Sequence, residues 1–569
     1  LIDNVANEND GYGVYAYNDD YDARLTIYNG EYADNVYDGL FVELYDWGVD
    51  WIIDGVAELR NNGAYIWGDI TVMDGGVLTL DTVIDLDMAN DNRDGMASII
   101  VEEGGTLIAR NSEIDEDWDT YLFEVYGTLD MQSCTVWGAR ELYLGPTSTA
   151  EIRTSVITEG YRNGIHVDDC APVISGTKVV YNWMDGIFIE GENAAPKIFD
   201  CIIAYNERGI YALKSNLADV VDNIIAYNYV AGIYAYDSDG NIHDNVMLFN
   251  AREIWVKDST VSIQNNEIGY SMLVNVMAEY LPLLGLGGEG FDGLLPPEMM
   301  VAMMVDHIGI YAENSVVEAT DNVYGLLSYA VYVVDSELTF SDDVKKSQLR
   351  VPYFDSMGVL WNITVPIYVY DGIYAADSTV VIDGAYIEVL DDAVFLENSN
   401  ADIRNSVLNA TDVDLYVTDG SSATATEVTF DGKILVTDTS MVTVNYKLTV
   451  NAVDQDGEPV SGVWVVVRNA AGDVVDEGAT GDDGKWSTYV VGFIQTSAGV
   501  DTGMNPYLVN ASFEQGAVEE SVMVDGPTEL TVEVPVDKPE PIDLAPIAGI
   551  ALIAVVIMAM LLLVTRGRP

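Results

Sequence analysis

Three aspartates are candidates for acid–base chemistry. Asp168 and Asp169 are adjacent on a predicted turn, and Asp185 lies near Trp183. Two carboxylates at a defined separation can hydrolyse a glycosidic bond, and a basic side chain beside calcium-binding carboxylates can cleave a uronic-acid polymer. The bases considered for that second reaction are Lys178, Lys214 and Lys257.

The abundance of acids weakens this catalytic interpretation. The chain has 93 Asp and Glu residues, so adjacent carboxylates are expected by chance, and Asp168-Asp169 is more simply a solvated turn. The sequence shows no cluster of basic residues that could hold an acidic polymer. We therefore assign no catalytic residue and keep Asp168, Asp169 and Asp185 as candidates.

Oxygen-rich turns favour calcium over other metals. Asp237, Asp239 and Asn241 lie within one turn, and Asp115 and Asp117 lie in another. Calcium prefers such oxygen ligands, although neither turn completes a helix-loop-helix calcium pattern. Structural calcium is therefore the one cofactor considered, and otherwise we expect none.

Histidine and cysteine do not form a metal or disulfide pattern. His166 and His243 fall at different points of the repeat described below, so they and His307 are not expected to converge on zinc. The cysteines lack metal spacing and are expected to be free, buried thiols. They are Cys134, Cys170 and Cys201.

The charge balance excludes one class of partner. The chain of 569 residues has 24 Lys and Arg and a formal net charge of −69. Such a surface repels nucleic acid, so we expect no DNA or RNA binding. Because 49% of the residues are hydrophobic, the chain is expected to fold despite its charge.

A repeat of about 22 residues sets the fold. Gly-Ile recurs at 164, 186, 209 and 232, and an aromatic-Asn pair recurs at 181, 205, 227 and 249. A third column includes Asn223, Asn245 and Asn266 and resumes at Asn322 and Asp343. Short β-branched runs broken by Gly, Asn or Asp are typical of strands between tight turns.

Two architectures have repeats near this length. A leucine-rich horseshoe requires a leucine pattern and a returning helix that are not visible here. In a parallel β-helix, equivalent residues of successive coils form columns, and Asn223, Asn245 and Asn266 would bond to one another in a ladder. We therefore predict an all-β, right-handed parallel β-helix, followed by a small β-sandwich and one transmembrane α-helix.

Two stretches resemble known families. NGIHVDDCAPVISGTKVVYNWMDGIFIEG and DNIIAYNYVAGIYAY resemble the right-handed β-helix repeats of NosD-type and pectate-lyase-like surface proteins, with early coils similar to those of archaeal surface proteins. DQDGEPVSGVWVVV and GATGDDGKW resemble carboxypeptidase-regulatory-like and collagen-adhesin B-type domains. The first resemblance implies a fold and carries no reaction.

These patterns divide the chain into eight predicted segments. They are a β-rich cap or earlier coils at 1–50, β-helix at 51–270, an apolar Met- and Leu-rich insertion at 271–306, further β-helix at 307–445, an immunoglobulin-like or carboxypeptidase-regulatory-like β-sandwich at 446–536, a linker at 537–543, a transmembrane helix at 544–564 and a cytoplasmic tail at 565–569.

The C-terminal apolar run predicts a membrane anchor. Leu544 to Val564 has no charge and is long enough to span a bilayer. Arg566 and Arg568 follow it, which places the tail in the cytoplasm and the rest outside. Three sequons suit an exported glycoprotein. They begin at Asn362, Asn409 and Asn510.

The combined interpretation is a single-pass cell-surface protein, expected to be archaeal, with a structural or adhesive and glycan-binding role and no catalytic activity. Its expected partners are the lipid bilayer and surface glycans or other surface proteins. The alternative is a displayed polysaccharide lyase or glycoside hydrolase. The aromatics considered for stacking on sugars are Tyr12, Tyr15, Tyr17, Trp47, Trp51 and Trp183.

Overall fold

The short strands of the repeat stack coil upon coil into three parallel sheets, which confirms the all-β parallel β-helix. The computed structural model describes residues 5–8, 12–18, 25–35, 40–44, 49–89, 96–117, 120–269, 307–345, 347–354, 360–367, 369–514, 516–536 and 545–565. The chain divides into two units, of which the first comprises residues 1–444 and 494–501. The predicted insertion at 271–306 lies outside the described residues.

Each coil of the first unit contributes one strand to each sheet. The first sheet contains Ser98–Val101, Tyr121–Val125, Ala139–Leu144, Ile165–Asp168, Asp185–Glu190, Arg208–Leu213, Ala231–Tyr236, Arg252–Lys257, Ile308–Glu313, Tyr329–Val334, Asp371–Ala376, Asp392–Glu397, Val413–Thr418 and Ile434–Val436. The second contains Val5–Asn7, Val77–Asp81, Thr106–Arg110, Thr128–Gln132, Thr149–Arg153, Val173–Ser175, Lys197–Phe199, Asn216–Val221, Asp239–His243, Thr260–Gln264, Thr379–Asp383, Asn400–Arg404 and Ser422–Thr426.

The third sheet completes the coil. It contains Val14–Asn18, Leu40–Leu44, Leu86–Ala89, Glu113–Asp117, Thr135–Trp137, Val156–Thr158, Lys178–Val180, Ile202–Ala204, Ile224–Ala226, Val246–Leu248, Glu267–Gly269, Tyr386–Val389, Val407–Ala410 and Thr429–Phe430. Longer strands turn a corner and join two sheets. These are Leu25–Ala33, Val49–Arg60, Ala64–Val72, Val316–Gly325 and Glu337–Val344.

Alternation along each strand builds the core. In Asp185–Glu190, Ile187 and Ile189 are fully buried and Phe188 points outward. Because the strands pair in register, Ile187 lies opposite Ile210 in the next coil. Like residues therefore stack along the axis, and burial of each aliphatic side chain stabilises the fold by about 2 kcal/mol.

Buried polar ladders hold the corners between sheets. The backbone N–H of Asn223 donates to Asn245 Oδ1 at 3.0 Å, and that of Asn245 donates to Asn266 Oδ1 at 2.9 Å. Their side-chain amides bond the same oxygens, so each amide bridges two coils. The residue before each ladder position has left-handed φ, for example 55° at Asp222, which Asp and Asn tolerate well.

The predicted column of ladder residues is wrong by one residue at Asp343. Asn322 donates its backbone N–H to Asp342 Oδ1 at 3.0 Å, so Asp342 occupies the ladder. Asp343 instead pairs as a strand residue with Tyr386. A register irregularity between Thr320 and Val323 accounts for the difference.

An antiparallel hairpin lies within the predicted second β-helix segment, 307–445. Ser347–Phe354 pairs antiparallel with Leu360–Ile367. Since Asp343 pairs directly with Tyr386, the coils before and after this hairpin are neighbours.

The second unit comprises residues 445–493 and 502–569. An antiparallel sheet orders Val474–Ala479, Trp464–Arg468, Tyr507–Phe513 and Gly516–Val522. The strand Met441–Val453 pairs with Lys485–Thr496 and Thr528–Glu533. Val465, Val509 and Val450 are fully buried in its apolar core.

The described part of the chain contains one α-helix, α1, which spans Ala545–Thr565. Among the described residues, none of the helices meets the length and apolarity required of a membrane span. The span predicted from Leu544 to Val564 therefore stays a prediction, and the linker and tail around it lie outside the described residues.

Candidate functional site

The outward face of the first sheet carries a column of rings that we name the aromatic ladder. Adjacent strands pair in register, so that Tyr211 lies opposite Tyr234 and Tyr234 lies opposite Trp255. Successive ring centroids are 4.4 to 5.8 Å apart. Its members are Tyr143, His166, Phe188, Tyr211, Tyr234, Trp255, Tyr311, Tyr332, Tyr374, Phe395 and Tyr416.

The sheet fixes the spacing of the ladder. Parallel strands lie about 4.8 Å apart, so one ring per strand yields this repeat. Most successive rings are stacked or tilted, whereas Tyr143–His166, Trp255–Tyr311 and Phe395–Tyr416 meet edge to face. Offset and edge-to-face pairs both leave part of a ring face uncovered. Every member except His166, which is 8% exposed, is half-buried. The ladder therefore both packs and faces solvent.

A tight corner brings the strands into place. A Cβ at Gly186 would lie 2.7 Å from the carbonyl oxygen of Gly209 and 2.8 Å from Asn206 Nδ2. Asn206 in turn bonds Asn228, whose Oδ1 accepts from the Asn206 backbone N–H at 3.0 Å. The recurring Gly thus makes room for a second Asn ladder beside each ring-bearing strand.

A second set of rings stacks at this corner. Tyr181, Tyr205, Tyr227 and Phe249 follow one another at centroid distances of 4.7, 5.2 and 5.0 Å. Their φ values of 58° to 60° are left-handed, which is rare for bulky side chains. The buried Asn that follows each ring supplies the bonds that hold this backbone.

Four exposed rings lie in or beside that stack. Trp183 and Tyr229 are each 73% exposed, Tyr161 is 47% exposed and Tyr181 is 42% exposed. The rings of Tyr161 and Trp183 are 6.2 Å apart and nearly parallel, with an interplanar angle of 7°. We name these four residues the aromatic platform. Its ring faces are open to a flat, partly apolar ligand.

A cleft of about 270 Å³ lies at the N-terminal end of the ladder. His166 forms its polar centre, with Nε2 2.9 Å from Glu190 Oε1 and Nδ1 3.5 Å from Glu141 Oε2. Glu141 also accepts from Arg162 at 3.2 Å and from Asn163 Nδ2 at 2.7 Å. Other lining residues are Leu122, Phe123, Glu124, Tyr126, Arg140 and Tyr143.

The groups in this cleft have shifted proton affinities. Burial lowers the pKa of His166, but Glu141 and Glu190 outweigh burial and hold the pKa above its usual value. Burial raises the pKa of Glu141, yet His166 and Arg162 bring it below its usual value. Burial and the hydrogen bond to Asp168 raise the pKa of Tyr143 far above normal. These shifts favour the protonated forms of His166 and Tyr143 and the ionised form of Glu141.

The three candidate aspartates do not converge. Asp168 accepts a hydrogen bond from the Tyr143 hydroxyl at 2.5 Å, whereas the exposed Asp169 accepts from Asn193. Asp168 pairs with Glu190, five residues beyond Asp185 on the same strand. At about 3.3 Å per residue, that separates the Asp168 and Asp185 positions by roughly 16 Å. The separation exceeds that of glycosidase carboxylate pairs, about 5–10 Å.

Asp185 forms a buried ion pair. Its Oδ1 and Oδ2 accept from Arg208 Nε and Nη2 at 2.5 and 3.1 Å. Burial raises the pKa of Asp185 to about 6, although Arg208 opposes the shift. Asp185 therefore positions Arg208 beside the ladder.

The lysines considered as bases are dispersed over the coil. Lys178 is a residue of the third sheet, Lys214 occupies a left-handed corner with φ 50°, and Lys257 ends a first-sheet strand. Lys257 Nζ lies 2.8 Å from Glu313 Oε1.

Stacking gathers positive charge that was not visible as a cluster in the sequence. The Arg208 guanidinium lies 4.0 Å from the Tyr211 ring centroid, and that of Arg252 lies 4.4 Å from the Trp255 centroid. With Lys257, these side chains flank the ladder near Tyr234. Arg208 and Arg252 are 44 residues apart in the sequence and begin first-sheet strands separated by one coil.

The predicted calcium turn is exposed. Asp237, Asp239 and Asn241 lie on the surface, and Asp239 Oδ1 accepts from the Thr260 backbone at 3.0 Å. Two other groups of three carboxylates bring oxygens within 4.8 Å of one another in the described part of the chain. They are Asp85, Asp87 and Asp115, and Asp391, Asp392 and Asp412. Acidic clusters do not by themselves make a metal site, so calcium stays a prediction.

The histidines lie apart from one another. His243 Nδ1 lies 2.8 Å from Asp244 Oδ2, and His307 Nε2 lies 2.7 Å from Glu253 Oε1. The three cysteines are free and buried. Two sequons are half-buried in strands, at Asn409 and Asn510, and Asn362 lies in the antiparallel hairpin.

The aromatic residues predicted to stack on sugars differ in their exposure to solvent. Trp51 is 0% exposed and donates Nε1–H to the carbonyl of Asn29 at 3.1 Å, so it belongs to the core. Tyr15 is 56% exposed, with its ring 5.0 Å from that of Tyr12. The side chains of Tyr17 and Trp47 lie outside the described residues. Trp183 remains the best placed.

Comparison with known proteins supports the fold. A family model described as a right handed beta helix region matches residues 140–278, about a quarter of the chain. The described sheets are thus a right-handed parallel β-solenoid with about 22 residues per turn. No curated protein matches the sequence significantly.

Solved structures give only remote likenesses. The match to a double mutant of the periplasmic alginate epimerase AlgG covers 63% of this chain and 77% of that protein, with 10% identity and a TM-score of 0.35. The match to a mutant tailspike of E. coli bacteriophage HK620 in complex with a hexasaccharide covers 81% of this chain and 87% of that protein, with 8% identity and a TM-score of 0.23.

The Bacillus anthracis TIE protein is similar over a short part only. There, 19% of this chain covers 18% of that protein, with 12% identity and a TM-score of 0.13. The chain therefore spans less than a fifth of that protein's length. At these TM-scores the likenesses support no conclusion about function.

Proposed function

We propose that the protein binds glycans on the outside of the first sheet and on the corner that precedes its strands, without catalysing a reaction on them. The observation that carries this proposal is the nearly parallel, exposed pair of Tyr161 and Trp183, with Tyr229 equally open nearby. The apolar face of a sugar ring packs on an aromatic face, and fixed rings lose little entropy on binding.

The solenoid supports an extended ligand better than a small one. The aromatic ladder places one ring on each of eleven successive first-sheet strands, from Tyr143 to Tyr416. At about 4.8 Å per strand it extends for roughly 48 Å. A linear polysaccharide could therefore contact several coils, and weak contacts would add along its length.

Ion pairing around His166 supports the non-catalytic reading. Despite burial, Glu141 and Glu190 raise the pKa of His166, and His166 and Arg162 bring the pKa of Glu141 below its usual value. These contacts favour the charged forms of both groups, as in a structural ion pair.

An enzyme acting on polysaccharides is the second candidate, and the cleft around His166 favours it. Arg140, Tyr143 and Arg162 surround that histidine. Incubation with pectin, alginate and host-type glycans separates the two proposals. Product formation that is lost in His166→Gln would establish catalysis, whereas retention of each polymer's length is the result expected here.

Attachment at a cell surface is part of the proposal, and its support is the sequence alone. The uncharged run from Leu544 to Val564, the sequons and the acidic composition suit a membrane-anchored, extracellular protein. Flotation with liposomes tests this, comparing the full chain with a variant that stops at residue 543. Equal flotation of both would overturn the anchor.

A glycan array tests the binding proposal. The full chain is expected to bind at least one linear glycan, and Trp183→Ala with Tyr161→Ala to lose most of that signal. Trp137→Ala is the matched control, because Trp137 is also exposed, at 44%, but lies on the third sheet. Failure to bind any glycan, or an equal loss in the control, would contradict the proposal.

A further inference from the structure

We propose that the part of the aromatic ladder around Tyr234 binds an anionic sugar, and that Arg252 holds its carboxylate or sulfate group. This inference rests on the proposed function and names the class of glycan. Binding of an anionic sugar would also explain why a protein of net charge −69 has arginine side chains on this surface.

Tyr234 lies between two stacked neighbours. Its ring centroid is 5.0 Å from that of Tyr211 and 4.4 Å from that of Trp255. Arg208 begins the strand below and Arg252 begins the strand above. Tyr234 therefore lies one coil from each of the two strands that Arg208 and Arg252 begin.

Two of the three cations near Tyr234 are paired with carboxylates. Asp185 bonds Arg208, and Glu313 bonds Lys257. Arg252 forms no ion pair with a carboxylate among the described residues, and the neighbouring Glu253 is bonded to His307. Arg252 Nε is buried without a hydrogen-bond partner in that part of the chain. Arg252 is thus the cation of this surface that is not held by a carboxylate.

The rings hold the Arg252 guanidinium in a fixed place. It lies 4.4 Å from the Trp255 centroid and 5.0 Å from the Tyr311 centroid. A guanidinium fixed in this way keeps N–H groups for two parallel hydrogen bonds to a carboxylate or sulfate. A sugar ring on Tyr234 would bring its acidic substituent to Arg252, which favours a uronate or sulfated polymer over a neutral one.

Binding of the full chain to defined oligosaccharides tests this assignment. The probes are oligogalacturonate, the same oligomer with methyl-esterified carboxylates, dextran sulfate and dextran, measured by titration calorimetry at low salt. Oligogalacturonate or dextran sulfate should bind better than its uncharged counterpart, and which of the two binds identifies carboxylate or sulfate. Arg252→Gln should weaken that binding by about tenfold or more, while Arg252→Lys should keep part of it.

Arg404→Gln is the control, because it removes the same charge from the second sheet, where Arg404 pairs with Asp402. Its affinity should equal that of the unmodified chain. Equal effects of the two glutamine variants, or equal binding of charged and uncharged oligomers, would overturn the assignment. If neutral glycans bind and Trp183→Ala abolishes that binding, only this inference fails. If no glycan binds, the proposed function fails as well.

Discussion

Glu253 and His307 form a buried hydrogen-bonded pair although they are 54 residues apart in the sequence. Glu253 Oε1 lies 2.7 Å from His307 Nε2, and the two side chains are 0% and 4% exposed. Glu253 Oε2 also accepts from Asn250 Nδ2, the last amide of the second Asn ladder. The pair thus closes this ladder and joins two adjacent coils of the first sheet.

Removing one partner of this pair should destabilise the solenoid strongly. Glu253→Ala leaves His307 and the Asn250 amide without their acceptor in a dry environment, which should cost about 3 kcal/mol of unfolding free energy. Denaturant unfolding measures this cost. Glu318→Ala is the control, since Glu318 is exposed on a nearby second-sheet strand. Equal stability of the two variants would show that the pair contributes little.

The Asn ladder predicts an equally local effect. Asn245→Ala removes the acceptor for the Asn223 backbone and amide and the donor to the Val220 carbonyl at 2.8 Å. Several buried groups lose partners, so we expect a loss of about 3 kcal/mol. Asn241→Ala, at an exposed position of the preceding strand, should change stability by less than about 0.5 kcal/mol. A small loss in Asn245→Ala would mean that water replaces the ladder amide.

Stability should decrease as the pH rises from about 4 to 7. Burial raises the pKa of Asp342 to about 6, above the value of about 4 expected in the unfolded chain. The native state therefore binds more protons in this interval, so this stabilisation is complete below about pH 4 and is lost as the pH rises through 6. Asp371 and Asp392, also raised to about 6 mainly by burial, act in the same direction.

Asp342→Asn isolates this effect. Asn is the usual residue of the ladder and can accept from the Asn322 backbone, as Asp342 does. Thermal melts of this variant between pH 4.5 and 7 should show a smaller decrease than those of the unmodified chain. Asp335→Asn, at an exposed left-handed corner, should keep the full decrease. A pH profile identical in Asp342→Asn would contradict the assignment.

Substitution of an exposed ring should affect glycan binding, whereas substitution of a buried ring should affect the free energy of unfolding. Trp183→Ala should cost less than about 0.5 kcal/mol, because that side chain is 73% exposed. Tyr227→Ala should cost about 3 kcal/mol, because that ring is 3% exposed and lies between Tyr205 and Phe249. Calorimetric melting of both variants checks this order, and a reversed order would place Trp183 in the core.

The sequence predicts the coil better than the site. Gly186 and Asn206 recur at a fixed interval because every coil needs the same close approach and the same amide bond. Asp343 was predicted to belong to the Asn column, but Asp342 occupies that position because a local irregularity shifts the register. Counting residues along the repeat does not detect such a shift. Trp51 was misread because it lies within the strand Val49–Arg60, where alternate side chains point into the core.

The aromatic ladder had a signal in the sequence that was not used. His166, Phe188, Tyr211 and Tyr234 each follow a Gly-Ile pair directly, so the column could have been found from the repeat. The partners of Arg208 and Arg252 could not have been found from the repeat. The contacts of a side chain on the surface of the coil depend on its rotamer and on the strand register. The outward surface is less constrained by packing than the core, so its contacts require coordinates.

Footprinting of the platform with hydroxyl radicals tests the central claim most directly. With the full chain saturated by the glycan that it binds best, oxidation of Trp183 and Tyr229 should fall several-fold, while oxidation of Trp137 should not change. If the glycan is bound and Trp183 is oxidised as fast as in the free protein, the ligand lies elsewhere and the account of this surface is wrong.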